Sequence, residues 1–216
     1  MSSSQQTGRR EVTIVDLQIQ NIQSVQNAFR TIGADVRVAS DASGIEAADF
    51  LVLPGVGSFS AAAERLAGTL RQAIRNHALE KKRPLLGLCL GMQLLADSSE
   101  EHGLHDGLGL VPGRVVRLQE SPPEFRVPNI GWRHVRLQPG AVGQLPSALD
   151  GRSFYHVHSF HFMTREPAHT LAVSRFGEGD IASIVGRGNI LGTQFHPEKS
   201  QESGLDLLHA LLLQLH

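Results

Sequence analysis

The apolar positions in the first hundred residues alternate between short continuous runs and segments with helical spacing. The continuous runs predict β-strands at residues 12–15, 36–38, 50–53 and 85–88. The first helical segment has its apolar positions at Ile22, Val25, Ala28, Phe29 and Ile32. Gly33 follows and is expected to end that helix. A second helical segment, residues 58–82, is expected to break near Gly68.

This alternation predicts an α/β fold with helices on both faces of a mainly parallel central sheet. The run at 50–53 is apolar at every position, which is typical of a strand buried on both faces in the middle of such a sheet. We expect a single domain over residues 11–216. The Ser- and Gln-rich residues 1–10 are predicted to form a disordered tail.

The pattern changes after about residue 110, where the apolar runs become shorter and turns more frequent. Short strands are predicted at 115–118, 133–137, 154–157 and 171–174. Two further runs, 181–185 and 190–195, are separated by a Gly-rich turn and predict a hairpin. The chain ends in a leucine-rich segment, 203–216, with the pattern of an amphipathic helix. We therefore expect additional antiparallel strands in the C-terminal half.

Composition narrows the class of protein. Hydrophobic residues make up 41% of the 216 and charged residues 19%, as in ordinary globular proteins. The 20 basic and 21 acidic side chains give a net charge of −1, so neither nucleic acid nor a membrane surface is an expected partner. One cysteine excludes an internal disulfide. With no signal or membrane-spanning segment visible, we expect a cytoplasmic protein.

The most informative stretch is Gly87-Leu88-Cys89-Leu90-Gly91, at the junction of the strand 85–88 and a buried helix expected over Leu90–Ala96. A glycine on each side of a central nucleophile is the pattern of a nucleophile elbow, in which a tight turn exposes one side chain at the top of a sheet. A helix N-terminus next to the sulfur favours the reactive thiolate. The alternative is that Cys89 is an inert core residue.

A second candidate motif is His196-Pro197-Glu198. In the extended backbone expected here, residues two apart face the same side, so the imidazole and the carboxylate are predicted to meet. A cysteine nucleophile needs a base, and the base needs a carboxylate to orient it. Alone, this tripeptide is common and carries little information. His156, His158 and His161 lack the companion motifs of a zinc site, so no metal is expected.

A third motif, Pro54-Gly55-Val56-Gly57, follows the predicted central strand. Open α/β sheets bind ligands beyond the carboxyl ends of their strands, so this loop and the elbow are expected to share one crevice. Backbone N–H groups of the loop and of Leu90 would form an oxyanion hole there. The alternative is an ordinary tight turn between strand and helix.

The elbow, extended to Gln93, together with Phe195-His196-Pro197-Glu198 resembles the triad-type (class I) glutamine amidotransferases. Further matches at 54–59, 131–132, 154–159 and 192–200 resemble the glutaminase subunits of imidazole glycerol phosphate synthases. The resemblance covers about residues 11–212 and implies a flavodoxin-like amidotransferase fold that acts without a cofactor. It implies glutamine hydrolysis by Cys89, His196 and Glu198, the acid–base residue being His196. The implied oxyanion-hole residues are Val56, Gly57 and Leu90, and the implied glutamine-binding residues are Gly57, Gln93, Glu101, Ser159 and Phe160.

The same resemblance implies a partner. In this family the ammonia passes to a cyclase subunit, a (β/α)8 barrel, in a heterodimer that makes imidazole glycerol phosphate and an aminoimidazole carboxamide ribotide for histidine biosynthesis. Activation by that partner is expected, because free ammonia would be lost as ammonium. The interface residues implied are Asn21, Trp132, Tyr155 and Lys199. For Trp132, the only tryptophan, a place in the core is the alternative.

The chain departs from the family pattern near this expected interface. A glycine-bearing loop usually follows the first strand, whereas residues 17–21 here read Leu-Gln-Ile-Gln-Asn, so a different loop shape is expected. The usual P-H-M-G-W-N reads Pro128-Asn129-Ile130-Gly131-Trp132-Arg133. His156 replaces an aromatic residue, and Phe160 a common tyrosine. Three alternative functions stay open: the amidotransferase subunit of another synthase such as anthranilate or aminodeoxychorismate synthase, a cysteine hydrolase or peptidase, and a non-catalytic thiol-sensing module.

Overall fold

The computed structural model describes residues 10–18, 21–121, 123–141 and 144–215. The predicted disordered tail, apart from Arg10, lies outside these ranges, and the domain boundary at residue 11 stays a prediction. The strands are β1 Glu11–Val15, β2 Asp35–Ala39, β3 Leu51–Leu53, β4 Leu85–Leu88, β5 Ser98–Ser99, β6 His105–Asp106, β7 Gly113–Arg117, β8 Asn129–His134, β9 Arg136–Leu137, β10 Ser153–His158, β11 Phe160–Thr164, β12 Thr170–Phe176, β13 Gly179–Arg187 and β14 Ile190–Thr193.

The α-helices are α1 Gln23–Thr31, α2 Ala42–Ala47, α3 Phe59–Arg65, α4 Thr69–Arg75, α5 Leu90–Gln93 and α6 Gln201–Gln214. A π-helical turn, Asn76–Glu80, continues α4, and short 3₁₀ turns lie at Pro139–Ala141, Ser147–Leu149, Pro167–His169 and Pro197–Lys199. None of the helices in the described ranges is both long and apolar enough to cross a bilayer.

The central sheet has the strand order β2-β1-β3-β4-β14-β13-β12-β9 in the described chain. The strands from β2 to β14 run parallel, and β13, β12 and β9 continue the sheet antiparallel. Leu51 and Leu53 pack into the core beside α3 and α4, whereas Val52 packs into the core on the opposite face, beside α1 and α6. The predicted α/β class, the central position of β3 and the antiparallel strands of the C-terminal half are confirmed.

The pairing of β14 with β4 joins distant parts of the chain. The two strands run parallel in a register that places Thr193 opposite Leu88. The N–H of Cys89 continues this ladder and donates to the Thr193 carbonyl at 2.7 Å. The segment after β14 therefore leaves the sheet next to the segment after β4, and His196 comes out beside Cys89.

Two smaller sheets cover this edge. One has the strand order β11-β7-β5-β6, and the other is a two-stranded antiparallel ribbon of β8 and β10. The ribbon alternates strictly between two faces: Phe154, His156 and His158 are buried, whereas Ile130 and Trp132 on the other face are exposed. The backbone of the ribbon also contacts the segment after β14, because the N–H of His196 donates to the Tyr155 carbonyl at 2.9 Å.

Several sequence predictions are wrong in detail. The helix after the elbow ends at Gln93 instead of Ala96, because Leu95 and Ala96 close tighter i→i−3 bonds. Residues 133–137 do not form one strand: β8 starts at Asn129, and β9 joins the central sheet. The pattern did not indicate α2, β5, β6 or β11, which are short or lack clear periodicity. The hairpin, the C-terminal helix and the break near Gly68 are confirmed, the break with φ of +71° at that glycine.

Candidate active site

Cys89 stands at a strained turn between β4 and α5. Its φ of 52° and ψ of −107° lie outside the regions that a non-glycine residue prefers. The turn closes so tightly that a Cβ on Gly91 would lie 1.7 Å from the Leu53 carbonyl oxygen, and one on Gly87 would lie 2.6 Å from the Gly91 oxygen. The predicted elbow is therefore present, and backbone packing requires both glycines.

His196 and Glu198 form a buried hydrogen-bonded pair. His196 Nδ1 lies 2.7 Å from Glu198 Oε1, and only 2% and 4% of the two side chains is exposed. The predicted reason for this contact is wrong, since the backbone is extended at His196 but turns into a 3₁₀ helix at Pro197. Helix α6 packs directly beneath this turn because Gly204 has no side chain: its Cβ would lie 1.8 Å from the Pro197 carbonyl oxygen.

The charge state of His196 is set by its neighbours. Burial lowers the pKa of His196, but interactions with the adjacent Cys89 sulfur and the Glu198 carboxylate outweigh burial and raise it to about 10. His196 Nε2 is buried and has no hydrogen bond of ordinary length within the described chain. The contact of Cys89 with the ring favours the charged form through both charge and hydrogen bonding, so the imidazolium is favoured at neutral pH.

The elbow and the histidine open into one cavity of about 420 Å³. Its lining residues are Val56, Gly57, Cys89, Leu90, Gln93, Glu101, Pro128, Val157, His158, Ser159, Phe160, His196 and Lys199. The predicted nucleophile, its histidine, the oxyanion-hole residues and the glutamine-binding residues therefore meet at a single site. Glu198 lies behind His196 and lines a second cavity of about 310 Å³, together with Asn21 and Lys199.

Gln93 and Glu101 are held in place by backbone groups. Gln93 Nε2 donates to the Phe160 carbonyl at 2.9 Å, which ties α5 to the opposite wall of the cavity. Glu101 Oε2 accepts the N–H of Phe59 at 2.8 Å, at the first turn of α3. Both polar side chains therefore have fixed positions, as a site for a polar ligand needs.

The predicted oxyanion donor at the elbow is engaged elsewhere. The N–H of Leu90 donates to the carbonyl of Gly55 at 3.3 Å. A carbonyl in this position would repel a negatively charged oxygen. The next glycine, Gly57, has φ of +105°, a conformation that favours glycine. The Gly55 carbonyl therefore occupies the amide that the sequence predicts as an oxyanion donor.

The four predicted interface residues all lie near this end of the sheet. Trp132 is 45% exposed, so the alternative that places it in the core is wrong. Its ring packs edge-to-face on Tyr155 at 6.1 Å, while Lys199 and Asn21 are exposed. Asn21 Oδ1 also accepts the N–H of Gln23, the first residue of α1, at 2.8 Å.

The loop after β1 was predicted to differ in shape because it lacks glycine. Gln18 nevertheless has φ of +59°, and its N–H donates to Asp16 Oδ1 at 2.8 Å. Short-range hydrogen bonding thus supports a conformation that glycine would adopt without strain. The two residues that follow, Ile19 and Gln20, lie outside the described ranges.

Two residues next to the nucleophile were missed by sequence reasoning. Gln194 is fully buried and its Nε2 lies 3.8 Å from Cys89 Sγ, within reach of a weak hydrogen bond to sulfur. His158 donates from Nδ1 to the Phe160 carbonyl at 2.8 Å. The signal for Gln194 was its position two residues before His196, whereas nothing local distinguished His158 from its neighbouring histidines.

Comparison with known proteins agrees with this geometry. The family described as Glutamine amidotransferase class-I matches residues 13–214. Among solved structures, the structure of PurLQS from Thermotoga maritima superposes with a TM-score of 0.73 at 17% identity, covering 97% of this chain and 100% of that one. A crystal structure of a glutamine amidotransferase gives a TM-score of 0.69 at 20% identity, covering 93% of this chain and 97% of that one. The chain belongs to the class I glutamine amidotransferases.

Curated relatives narrow the family. The chain is 44% identical over 199 residues to the imidazole glycerol phosphate synthase subunit HisH of Methanothermobacter thermautotrophicus, covering 91% of this chain and 95% of the relative. It is 42% identical over 204 residues to the protein of the same name from Syntrophotalea carbinolica, covering 91% and 97%. Within its class, the chain belongs to the HisH family.

Proposed function

We propose that this chain hydrolyses L-glutamine to L-glutamate and ammonia as the glutaminase subunit of an imidazole glycerol phosphate synthase. The observation that carries the proposal is that Cys89, after β4, and His196, after β14, line one cavity, with Glu198 hydrogen-bonded to His196 from behind. The HisH names of the relatives do not favour another synthase. A cysteine peptidase would not need a cavity enclosing Gln93 and Glu101.

In the first half of the reaction, the Cys89 thiolate attacks the side-chain amide carbon of glutamine. A C–S bond forms, and the carbonyl electron pair moves to oxygen to give a tetrahedral oxyanion. As the C–N bond breaks, the His196 imidazolium gives its proton to the leaving nitrogen, which departs as ammonia. Glu198 holds His196 through Nδ1, so that Nε2 carries the transferable proton.

In the second half, water attacks the thioester. His196, now neutral, takes the proton of the water while a second oxyanion forms. Collapse of that intermediate breaks the C–S bond, releases glutamate and restores the thiolate–imidazolium pair. Both oxyanions need donors at the same place, and the donors proposed are the backbone amides of Leu90 and of the loop at Val56 and Gly57.

The substrate is a zwitterion, and the cavity offers a counterpart to each end. The Glu101 carboxylate is proposed to bind the α-ammonium group, and Gln93 to hydrogen-bond the amino-acid head group. Ser159 and Phe160 would form the facing wall, with Gly57 beside the reacting amide. Hydrogen bonds to backbone groups hold Gln93 and Glu101 in place, which reduces the ordering cost of binding.

The proposed partner is a cyclase subunit, a (β/α)8 barrel, in a heterodimer. The exposed side of the ribbon carries Ile130, 56% exposed, beside Trp132 and Tyr155, an aromatic and apolar surface typical of an interface core. The Tyr155 carbonyl accepts the N–H of His196. A protein docked on the exposed side of the ribbon would therefore contact a residue that is directly hydrogen-bonded to His196. The Gly55 carbonyl at Leu90 supports low activity without the partner, and a stimulated rate when docking moves it.

The test is covalent labelling with a glutamine-analogue alkylating agent, followed by mass spectrometry of the peptide that contains residue 89. We expect labelling of Cys89, protection by glutamine and no labelling of C89S. We also expect C89S to lose about 10⁴-fold or more of its glutaminase rate while keeping its fold. Glutamine hydrolysis by C89S near the parental rate would refute the nucleophile. Equal rates of glutamine hydrolysis with and without the cyclase subunit and its ligand would refute the proposed activation by the partner.

A further inference from the structure

The buried face of the ribbon β8/β10 contains a polar network that the proposed mechanism does not use. Its side chains are Asn129, Arg133, His156 and His158; Asn129 and His156 are fully buried and His158 is 7% exposed. These side chains lie close together because the strand register places Asn129 opposite His158. Buried polar groups are costly unless each is hydrogen-bonded, so their arrangement constrains how each one is oriented.

The hydrogen bonds of this network have one consistent direction. Arg133 Nε can only donate, and it lies 3.0 Å from Asn129 Oδ1. The other end of that amide, Nδ2, therefore points at His158 Nε2, 3.0 Å away, and donates to it. A nitrogen that accepts carries no hydrogen, so the hydrogen of His158 is on Nδ1. That Nδ1–H donates to the Phe160 carbonyl at 2.8 Å.

His156 also lies close to this acceptor, since its Nδ1 is 3.2 Å from His158 Nε2. The His158 ring must be neutral for its Nε2 to accept a hydrogen bond. Burial lowers the pKa of His158 to about 4, against the smaller opposing effect of its bond to the Phe160 carbonyl. At neutral pH, the ring is therefore a neutral imidazole whose tautomer is set by its neighbours.

The Phe160 carbonyl links the network to the glutamine cavity. It accepts both His158 Nδ1 and Gln93 Nε2, so two donors fix one peptide of the cavity wall. Gln93 Nε2 also lies 3.2 Å from Gln194 Oε1, and Gln194 Nε2 in turn contacts the Cys89 sulfur. A continuous series of hydrogen bonds thus extends from Arg133 to the nucleophile.

We infer that Arg133 and Asn129 are positioning residues for glutamine binding: they hold His158 in the Nδ1–H tautomer that fixes the Phe160 carbonyl, the cavity wall and Gln93. The inference rests on the proposed function, because it assigns glutamine to this cavity. Asn129, Arg133 and His156 are also positions where the sequence departs from the motif that it resembles. These three departures therefore belong to one network, whereas Ile130 lies on the exposed face of the ribbon.

The test compares two substitutions of equal length at Arg133. In R133Q, the side-chain nitrogen takes the chain position of the arginine Nε and can still donate to Asn129 Oδ1. In R133M, a methyl group takes that position and cannot donate. Both lose the charge and the contact of the guanidinium with the Phe125 ring, 5.3 Å away, so these losses cancel in the comparison. The matched control is R136M, because Arg136 pairs with Asp180 on β13, away from the cavity.

Three measurements are made on each purified variant. They are the His158 tautomer from ring ¹⁵N chemical shifts, KM and kcat for glutamine hydrolysis, and glutamine affinity by calorimetry in a C89S background. For R133M we expect a mixture of tautomers and a KM and Kd about fivefold to tenfold higher, the effect of one lost hydrogen bond, with kcat changed less than KM. R133Q and R136M are expected to keep the parental tautomer and to remain within about twofold of the parental KM.

Each outcome decides between the proposals. A parental KM and tautomer in R133M would overturn the positioning role, even if the parent hydrolyses glutamine normally. Equal losses in R133M and R133Q would also overturn it, because the charge or ring contact would then be responsible. If the parent neither binds nor hydrolyses glutamine, the proposed function fails, whereas the ¹⁵N shifts still report whether Arg133 sets the tautomer. The substitution N129L removes the amide that connects Arg133 to His158. We expect the double variant N129L/R133M to have the same KM as N129L alone, and additive effects on KM would contradict the network.

Discussion

The two halves of the candidate active site are held in place by different kinds of force. The elbow half, from β3 through α5, is positioned by backbone contacts so close that Gly91 has no room for a Cβ. The opposite half, the ribbon β8/β10 with the turn at His196, has one such contact at Gly204 but depends also on side-chain hydrogen bonds. Examples are the His196–Glu198 pair and the contact of His158 with the Phe160 carbonyl.

This difference has a functional consequence. Steric packing in a close-packed core has one solution, so the nucleophile has a fixed position. Hydrogen-bonded side chains exchange partners at lower cost, and the half that they support also carries the exposed Trp132 face. The side chains of the half that a partner would touch therefore adjust at lower cost than the elbow, where the Gly55 carbonyl in the loop after β3 is the exception. The following substitutions test that contrast.

The largest effect is expected from G91A. The added methyl group would lie 1.7 Å from the Leu53 carbonyl oxygen, which is backbone in the centre of the sheet and cannot move aside. We expect a loss of about 4 kcal/mol or more in the free energy of unfolding, measured by urea denaturation. The matched control is G179A, because a Cβ there meets nothing within 4 Å. If G91A were as stable as G179A, the elbow would not be held by steric packing.

A smaller effect, confined to activity, is expected from E198Q. The amide keeps the size of the side chain but removes the negative charge that helps to raise the pKa of His196. We expect a fall of about 10³-fold in kcat for glutamine, equivalent to about 4 kcal/mol, with at most a small change in stability. Steady-state kinetics with the exposed E178Q as control provides the measurement. A kcat for E198Q within threefold of the parent would show that the carboxylate does not orient the base.

The third prediction is acid destabilisation of the hydrogen-bonded half. The pKa of His158 is about 4 in the folded protein, mainly through burial, against 6.5 in an unfolded chain. Between these pH values, the unfolded state binds more protons, so the free energy of unfolding falls as pH drops from 6.5 towards 4. The contribution of this ring reaches about 3 kcal/mol, and below pH 4 it stays constant.

The measurement is the difference in unfolding free energy between pH 7 and pH 4.5, compared with H158N. Asparagine does not titrate, yet it can donate to the Phe160 carbonyl from a similar position. We expect that pH-dependent difference to be about 2 kcal/mol smaller in H158N, because carboxylates titrate equally in both proteins. An identical pH dependence in the two proteins would mean that His158 is not kept neutral by burial.

Much of the fold could be predicted from local pattern, for identifiable reasons. The strand 51–53 is apolar at each position because both of its faces are buried, and the elbow has glycines because no other residue fits. The predictions of strand and helix boundaries were wrong where these boundaries depend on hydrogen bonds to distant parts of the chain. Residues 133–137 look like one strand, but hydrogen-bond partners elsewhere divide them between two sheets. The helix after Cys89 is also shorter than its apolar run, since residues 107–111 donate to the carbonyl groups at its end.

The sequence by itself determined the chemistry available: one cysteine between glycines, a histidine and glutamate two residues apart, and an α/β order of elements. Only the tertiary structure decided that β14 lies parallel to β4, which brings His196 to Cys89 across more than a hundred residues. It also decided that the Leu90 amide is occupied by Gly55, that Trp132 faces solvent, and that three departures from the family pattern, Asn129, Arg133 and His156, lie in one polar network. The physical reason is that residue type and spacing control local conformation, whereas the pairing of distant strands depends on which buried faces and polar groups satisfy one another.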